Sequence, residues 1–259
     1  MRPMSKAAPP RTRRRAGAPD GALLMETGVS RRLAGSLAQQ FAVRILKGEL
    51  PAGHVFPGEV ELAAQLGISR SALREAFRTL GAKGLVEGKP KAGTRVCPRR
   101  NWRVLDPDLL AWRFEAKPSR KFLRDLFELR LMVEPAAAEL AATRRTNGQV
   151  AAMRKALDGM ARHGLATEEG RLADQRFHLT MLEATGNEAV LALATTILSA
   201  IAWTTIFKQR KHKLPRDPVP DHLALFTAIE REDPDAARET MAELVRLALA
   251  DTEFSLHED

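Results

Sequence analysis

ELAAQLGISRSALREAFRTLGAKGLV, residues 61–86, decides the fold of the first part of this 259-residue chain. Leu62, Ala63 and Leu66 recur at helical spacing, and the pattern stops at Gly67, the residue type that most readily closes a helix in the left-handed conformation. Ser69 then stands where a side-chain oxygen caps a second helix through Arg70, Leu73, Arg74, Phe77 and Leu80. Two short helices joined by a Gly-containing turn of three or four residues make a helix-turn-helix. The first residues of its second helix meet base edges in the major groove of DNA; here they are Arg70, Ser71 and Arg74. Ala72, Leu73 and Ala76 face inward on this reading. An αα-hairpin with solvated arginines has the same spacing, but cap, turn and paired arginines together favour DNA.

Working outward, Leu33, Leu37, Phe41, Ile45 and Leu46 predict a helix from Ser30 to about Gly48. GELPAGHVFPG, residues 48–58, is a loop punctuated by Pro and Gly. Beyond Gly84, LVEGKPKAGTRVC, residues 85–97, reads as two short strands around a Lys- and Gly-containing turn, the wing of a winged helix-turn-helix. Lys89 and Lys91 there would reach phosphate or the minor groove, and Gly93, followed by Thr94, permits close backbone approach. Residues 1–28, with RTRRR at 11–15, hold too little apolar content to fold and are expected to form a disordered basic tail. Such a tail adds nonspecific attraction to DNA or has no role.

Charge divides the chain in the same place. Residues 1–100 hold 19 Lys and Arg against 7 Asp and Glu, whereas the remainder holds 22 against 25. A basic third beside a near-neutral remainder implies a polyanion-binding module joined to something else. No apolar run reaches bilayer length and no signal-peptide pattern opens the chain, so no membrane partner is expected. Cys97, the single cysteine, excludes an internal disulfide and fits a cytoplasmic protein, its place on a predicted strand suggesting packing.

From Pro98 the pattern changes. PRRNWRVLDPDLLAW, residues 98–112, is a junction in which Asp106 and Pro107 start a short helix by the N-cap and first-turn proline rule. Helical periodicity then covers about 119–145, 148–163, 167–185, 188–211, 218–231 and 234–255, with breakers such as Asn147-Gly148, Gly164, Gly186-Asn187 and Asp233-Pro234 between. The expected fold is mainly α: an N-terminal winged helix-turn-helix and a C-terminal all-helical antiparallel bundle large enough to enclose a pocket. The boundaries read 1–28 tail, 29–97 DNA-binding domain, 98–118 linker with a short helix, and 119–259 helical ligand-binding domain.

Asp174 and His178 lie four apart on one helix and project from one face. A carboxylate and a neutral imidazole so placed can chelate a divalent ion such as zinc or nickel, and His222 on a later helix could complete a facial set. A surface polar pair has the same spacing. Arg130 lies on a mostly apolar helix, where an unpaired guanidinium is costly. It suits bidentate binding of an organic acid; an internal salt bridge to Glu134, one turn away, is the competing reading. His163, His212 and His257 have no motif around them and are expected to face solvent, while Trp112 and Trp203 are expected in the core.

VRILKGEL, the stretch PAGHVFPGEVELAAQLGISRSALREAFRTLGAKGLVEGKPKAGTRV and the wing together resemble the DNA-binding domain of the GntR superfamily of bacterial transcription regulators over about residues 30–97. FELRLMVEPAAAELAA (127–142), DQRFHLTMLEATGN (174–187) and DHLALFTAI (221–229) are similar to the ligand-binding (FCD) domain of its FadR-type branch. With the PRRNW and LDPDLLAW junction, the likeness is to the sugar-acid regulators of that branch. The resemblance implies a homodimer on a double-stranded operator, repression relieved by a small organic acid, and a metal bound by an Asp, the His one turn later and two further His. It also implies that Arg99, at the junction, closes over the effector pocket, although a contact to DNA phosphate beside the wing fits equally. Two departures matter: Val60 follows Glu59 where relatives often carry a DNA-contacting Arg, and Leu244 stands at the last His.

Three functions are thus set against one another. The first is a ligand-responsive regulator. The second is a metalloenzyme with a nucleic-acid anchor, in which Asp174, His178 and His222 activate water, though no general base or nucleophile arrangement accompanies them. The third is an architectural DNA binder with an inert bundle.

Overall fold

The computed structural model describes residues 21–89, 93–209 and 216–257. The fold class expected from the sequence is the one found: mainly helical, with a winged helix-turn-helix followed by a helical bundle. The RTRRR run, Lys91 and His212 lie outside the described residues, as does the side chain of His257.

Helix α1 (Gly21–Lys47) begins earlier than the Ser30 start given by periodicity. Residues 21–28, assigned to the tail by composition, form its first turns; ALLMET carries no Pro or Gly to break a helix. Helix α2 (Glu59–Leu66) closes on Gly67 at φ 64°, whose N–H returns to the α2 carbonyls. Only a left-handed residue ends the helix this way without strain. Ser69 Oγ accepts the Ala72 N–H at 3.2 Å and opens helix α3 (Arg70–Ala82), a cap worth about 1 kcal/mol. Ala72, Leu73, Ala76, Phe77 and Leu80 are buried as expected, whereas Leu66, counted into the apolar stripe of α2, is 41% exposed. Phe41, Phe56 and Phe77 meet with ring centroids 5.0–5.9 Å apart and pin the 48–58 loop between α1 and α3.

The wing is an antiparallel pair, β1 (Val86–Lys89) and β2 (Gly93–Val96), in register from Val86 opposite Val96 to Lys89 opposite Gly93. A bridge from Val55 to Arg95 adds the incoming loop to its edge. Cys97 is buried just past β2. Gly84 (φ +73°) sits so close to the next segment that an added Cβ would lie 2.0 Å from the Asn101 carbonyl oxygen.

A 3₁₀ turn (Arg99–Asn101) leads to helix α4 (Pro107–Glu115), capped by Asp106, whose carboxylate accepts the Asp108 and Leu109 N–H groups. Trp102 donates its indole N–H to the Cys97 carbonyl at 3.0 Å. The bundle comprises α5 (Arg120–Arg144), α6 (Asn147–His163), α7 (Glu168–Ala184), α8 (Glu188–Ala192), α9 (Ala194–Gln209), α10 (Val219–Glu230) and α11 (Pro234–His257). The run expected as one helix over 188–211 is thus two, parted at Leu193 without a Gly or Pro to announce it. Helix α5 packs on α11 and α6 on α7, while α4 packs on α9 through Leu110, Phe114, Ala200 and Phe207. Among the described residues no helix is long and apolar enough to cross a membrane.

Candidate metal centre and nucleic-acid interface

At the start of α3, Arg70, Ser71 and Arg74 are all exposed. Arg74 Nε lies 2.7 Å from Glu59 Oε2, tying the expected recognition helix to the first turn of α2. Exposed pairs of this kind contribute little stability and exchange readily for a better anion. Val60, beside Glu59, is 63% exposed, an apolar side chain on open surface. In the wing, Lys89 is exposed with Glu87 3.2 Å away, Gly93 has φ +75°, and the half-buried Thr94 gives its carbonyl to the Phe56 N–H at 2.9 Å.

Asp174 and His178 on α7 meet His222 on α10, all buried, with one ligand atom from each inside 4.8 Å of the others. His178 Nε2 is 3.2 Å from His222 Nε2, and Asp174 Oδ1 is 3.1 Å from His222 Nε2. His222 Nδ1 lies 2.8 Å from the Pro218 carbonyl. That oxygen can only accept, so Nδ1 is the donor and Nε2 is the atom turned toward the other two residues. Burial, outweighing the nearby carboxylates, holds the His178 imidazole at a pKa of about 4, so it is neutral at physiological pH. Asp174 Oδ1 makes no well-aligned hydrogen bond, and His222 Nε2 is the imidazole nitrogen nearest to it. Two imidazole nitrogens and a carboxylate oxygen converge in this buried space, a donor set that a zinc- or nickel-type ion satisfies.

Behind it, Glu134 Oε2 is 3.7 Å from His178 Nδ1, and Arg130 Nε is 2.6 Å from Glu134 Oε1. Arg130 therefore takes the internal-salt-bridge reading, fully buried on the same helix face. It orders a carboxylate behind a candidate ligand, and it still borders the cavity. Leu244, at the position of the expected fourth His, lines that cavity too and offers no donor. The cavity is about 30 Å³.

A family model described as "Bacterial regulatory proteins, gntR family" matches residues 33–96, and one described as "FCD domain" matches 125–247. The HTH-type transcriptional regulator YieP of Escherichia coli K12 is 34% identical over 219 residues, covering 81% of this chain and 91% of that protein. The chain belongs to the GntR family. This GntR regulator carries an FCD domain and binds DNA; its family is one of transcription regulators, which removes the metalloenzyme reading. It is also 32% identical over 204 residues to the galactonate operon transcriptional repressor of E. coli K12, covering 78% of this chain and 89% of that one. The solved structure of the Listeria monocytogenes regulator Lar shares the fold, with a TM-score of 0.58 at 18% identity over 85% of this chain and 96% of that one.

The regulator's structure separates two residues that the sequence suggested together. Arg130 borders the cavity of Asp174, His178 and His222, but Arg99 lines a different groove, at the junction between wing and bundle. Position 99 falls in the turn just after the wing and stacks its guanidinium over Trp102 at 5.6 Å, which holds it there. Conversely, sequence reasoning missed Thr204, Thr205, Lys208 and Arg216, all on the cavity wall. Burial lowers the Lys208 pKa to about 8, against the opposing pull of Asp251. Arg216 is held by Asp221 and, at 3.1 Å, by Asp251. A signal existed for one of them: Lys208 is the lone charge in ATTILSAIAWTTIFKQ, and a single cation in an apolar helix needs a reason.

Proposed function

We propose that this protein is a homodimeric repressor whose grip on its operator is released by a small carboxylate, a sugar acid or a near relative, bound with a divalent metal in the FCD domain. The observation that carries this reading is the cavity itself. It joins the inward-facing donors of Asp174, His178 and His222 to the cations Arg130, Lys208 and Arg216, a composition suited to an oxygen-rich anion. A divalent ion held there would supply a Lewis-acidic open position for a carboxylate or hydroxyl oxygen. The name of the galactonate operon repressor points the same way. Residues 29–97 would read DNA in the cytoplasm, with Arg70, Ser71 and Arg74 at base edges and Lys89, Lys91, Gly93 and Thr94 on the backbone. Residues 98–118 would connect them to the sensing domain, 119–259.

At about 30 Å³ the cavity admits an ion or a couple of waters but no sugar acid. Entry of the acid must spread the walls formed by α7, α9 and α10. A ligand that fits only the spread form shifts the protein toward it, which is the condition for regulating anything at a distance. Two copies on a pseudo-palindrome double the few base pairs that one recognition helix can read. The test is a thermal-shift screen of sugar acids with and without zinc or nickel, followed by operator binding. Metal-dependent stabilisation and loss of operator binding with the same acid support the reading. An acid-blind protein would leave it an architectural binder.

A further inference from the structure

Arg99 and Arg113 border a groove of about 350 Å³ between the turn after the wing, α4 and the first turns of α5. It shares neither residues nor elements with the metal cavity, apart from α5. Arg113 lies over the Phe122 ring at 4.7 Å and Arg99 over Trp102 at 5.6 Å. Among the described residues neither guanidinium has an ion pair. The groove's own carboxylate, Asp125, is already taken by Lys121 at 2.7 and 2.8 Å. Burial first, and then the charge of Arg99, lower the Arg113 pKa, the mark of a cation short of a counterion. Apart from Ser119 the remaining walls are apolar, formed by Val104 and Leu105, 48% and 38% exposed, with Phe122, Leu126 and Leu129.

We propose that this junction groove is a second ligand site, taking an organic carboxylate with an apolar body. Two forked donors stacked on aromatic rings match one carboxylate bidentately. The leucines and Val104 take an aryl or branched alkyl body that the polar metal cavity would reject. The groove is of a size usual for small ligands, and its walls come from the DNA-reading side, the connecting helix and the sensing bundle. Its occupant would therefore touch all three.

The test uses the full-length protein and three probes: 4-phenylbutyrate, its uncharged amide and inorganic phosphate. Calorimetry and quenching of tryptophan emission, with Trp102 stacked under Arg99, provide the readouts. Saturable binding of the carboxylate is expected, weakened about ten-fold or more by Arg113→Gln and for the amide, and partly restored by Arg113→Lys. His178→Ala removes a metal donor and should leave this binding unchanged, which separates it from the sugar-acid reading. Absence of saturable binding, equal affinity in Arg113→Gln, or loss in His178→Ala would overturn the proposal. Phosphate binding as tightly as 4-phenylbutyrate would overturn the apolar-body assignment. Should Arg113→Gln fail to fold, Arg99→Gln carries the same comparison.

Discussion

The Lys83 ammonium at the C-terminal end of α3 sits 2.7 Å from Asp106 Oδ1 and 2.7 Å from Asp108 Oδ2, the cap and first turn of α4. Its side chain is 8% exposed and lies 5.3 Å from the Trp112 ring centroid. One cation thus ties the second helix of the helix-turn-helix to α4, the helix that packs on the bundle.

Burial alone would lower the Lys83 pKa, but its hydrogen bonds to Asp106 and Asp108 outweigh burial and raise it above 10.5. The folded state therefore holds this proton more tightly than the unfolded chain does. The stabilisation is complete below the ordinary lysine range and lost as pH rises through the raised value. Lys83→Met should cost about 1 kcal/mol at neutral pH, Asp108 being largely solvated. The deficit should vanish in strongly alkaline buffer, and denaturant melts across pH 8–12 on both proteins check it.

Gly84→Ala should destabilise by roughly 2–4 kcal/mol. The new methyl must occupy a left-handed backbone and meet the Asn101 carbonyl. An unchanged melting temperature would show that the 99–101 turn yields freely.

His178→Ala should abolish most zinc or nickel binding while leaving operator affinity in place. Leu244→His should do the reverse and tighten metal binding about ten-fold or more, because Leu244 faces the same cavity. Metal analysis after dialysis, and titration with a chromogenic chelator, measure both. In metal-stripped protein the pH profile adds a check. His178 is neutral in the fold down to about 4, whereas the unfolded chain takes up its proton near 6.5, so stability should fall as pH drops from 6.5 toward 4. His178→Ala should flatten that slope.

Arg70→Ala should relax preference at one base step by roughly 1–3 kcal/mol, with footprint length retained. If each protomer neutralises about four phosphates, the dimer's log K against log salt should slope near about −7. An unaltered footprint and unaltered sequence preference in the variant would place the recognition helix elsewhere.

Much of this was legible in the chain because the decisive signals are local. Gly67 and Ser69 announce a turn through backbone freedom and a side-chain cap, and both act as written. Asp106-Pro107 opens a helix for the same reason. Asp174 and His178 share a face by helical period, but their meeting with His222 is a tertiary fact that spacing could only permit. What stayed hidden was long-range. Nothing near Arg99 says which groove it borders, and nothing near Arg113 or Lys83 says that, among the described residues, one has no ion pair and the other has two. The break at Leu193 carries no punctuation at all.

Helix α9 borders the metal cavity through Thr204, Thr205 and Lys208 and, through Ala200 and Phe207, beds against Leu110 and Phe114 of α4. The cavity wall and the seat of α4 are therefore neighbouring faces of a single rod. Close-packed matter yields as a body, so a guest that shoulders this rod aside also tilts whatever rests on its adjoining face. A message carried that way requires no hinge, no melting segment and no intermediary. Its sensitivity is set by how tightly two phenylalanines, 114 and 207, are wedged together.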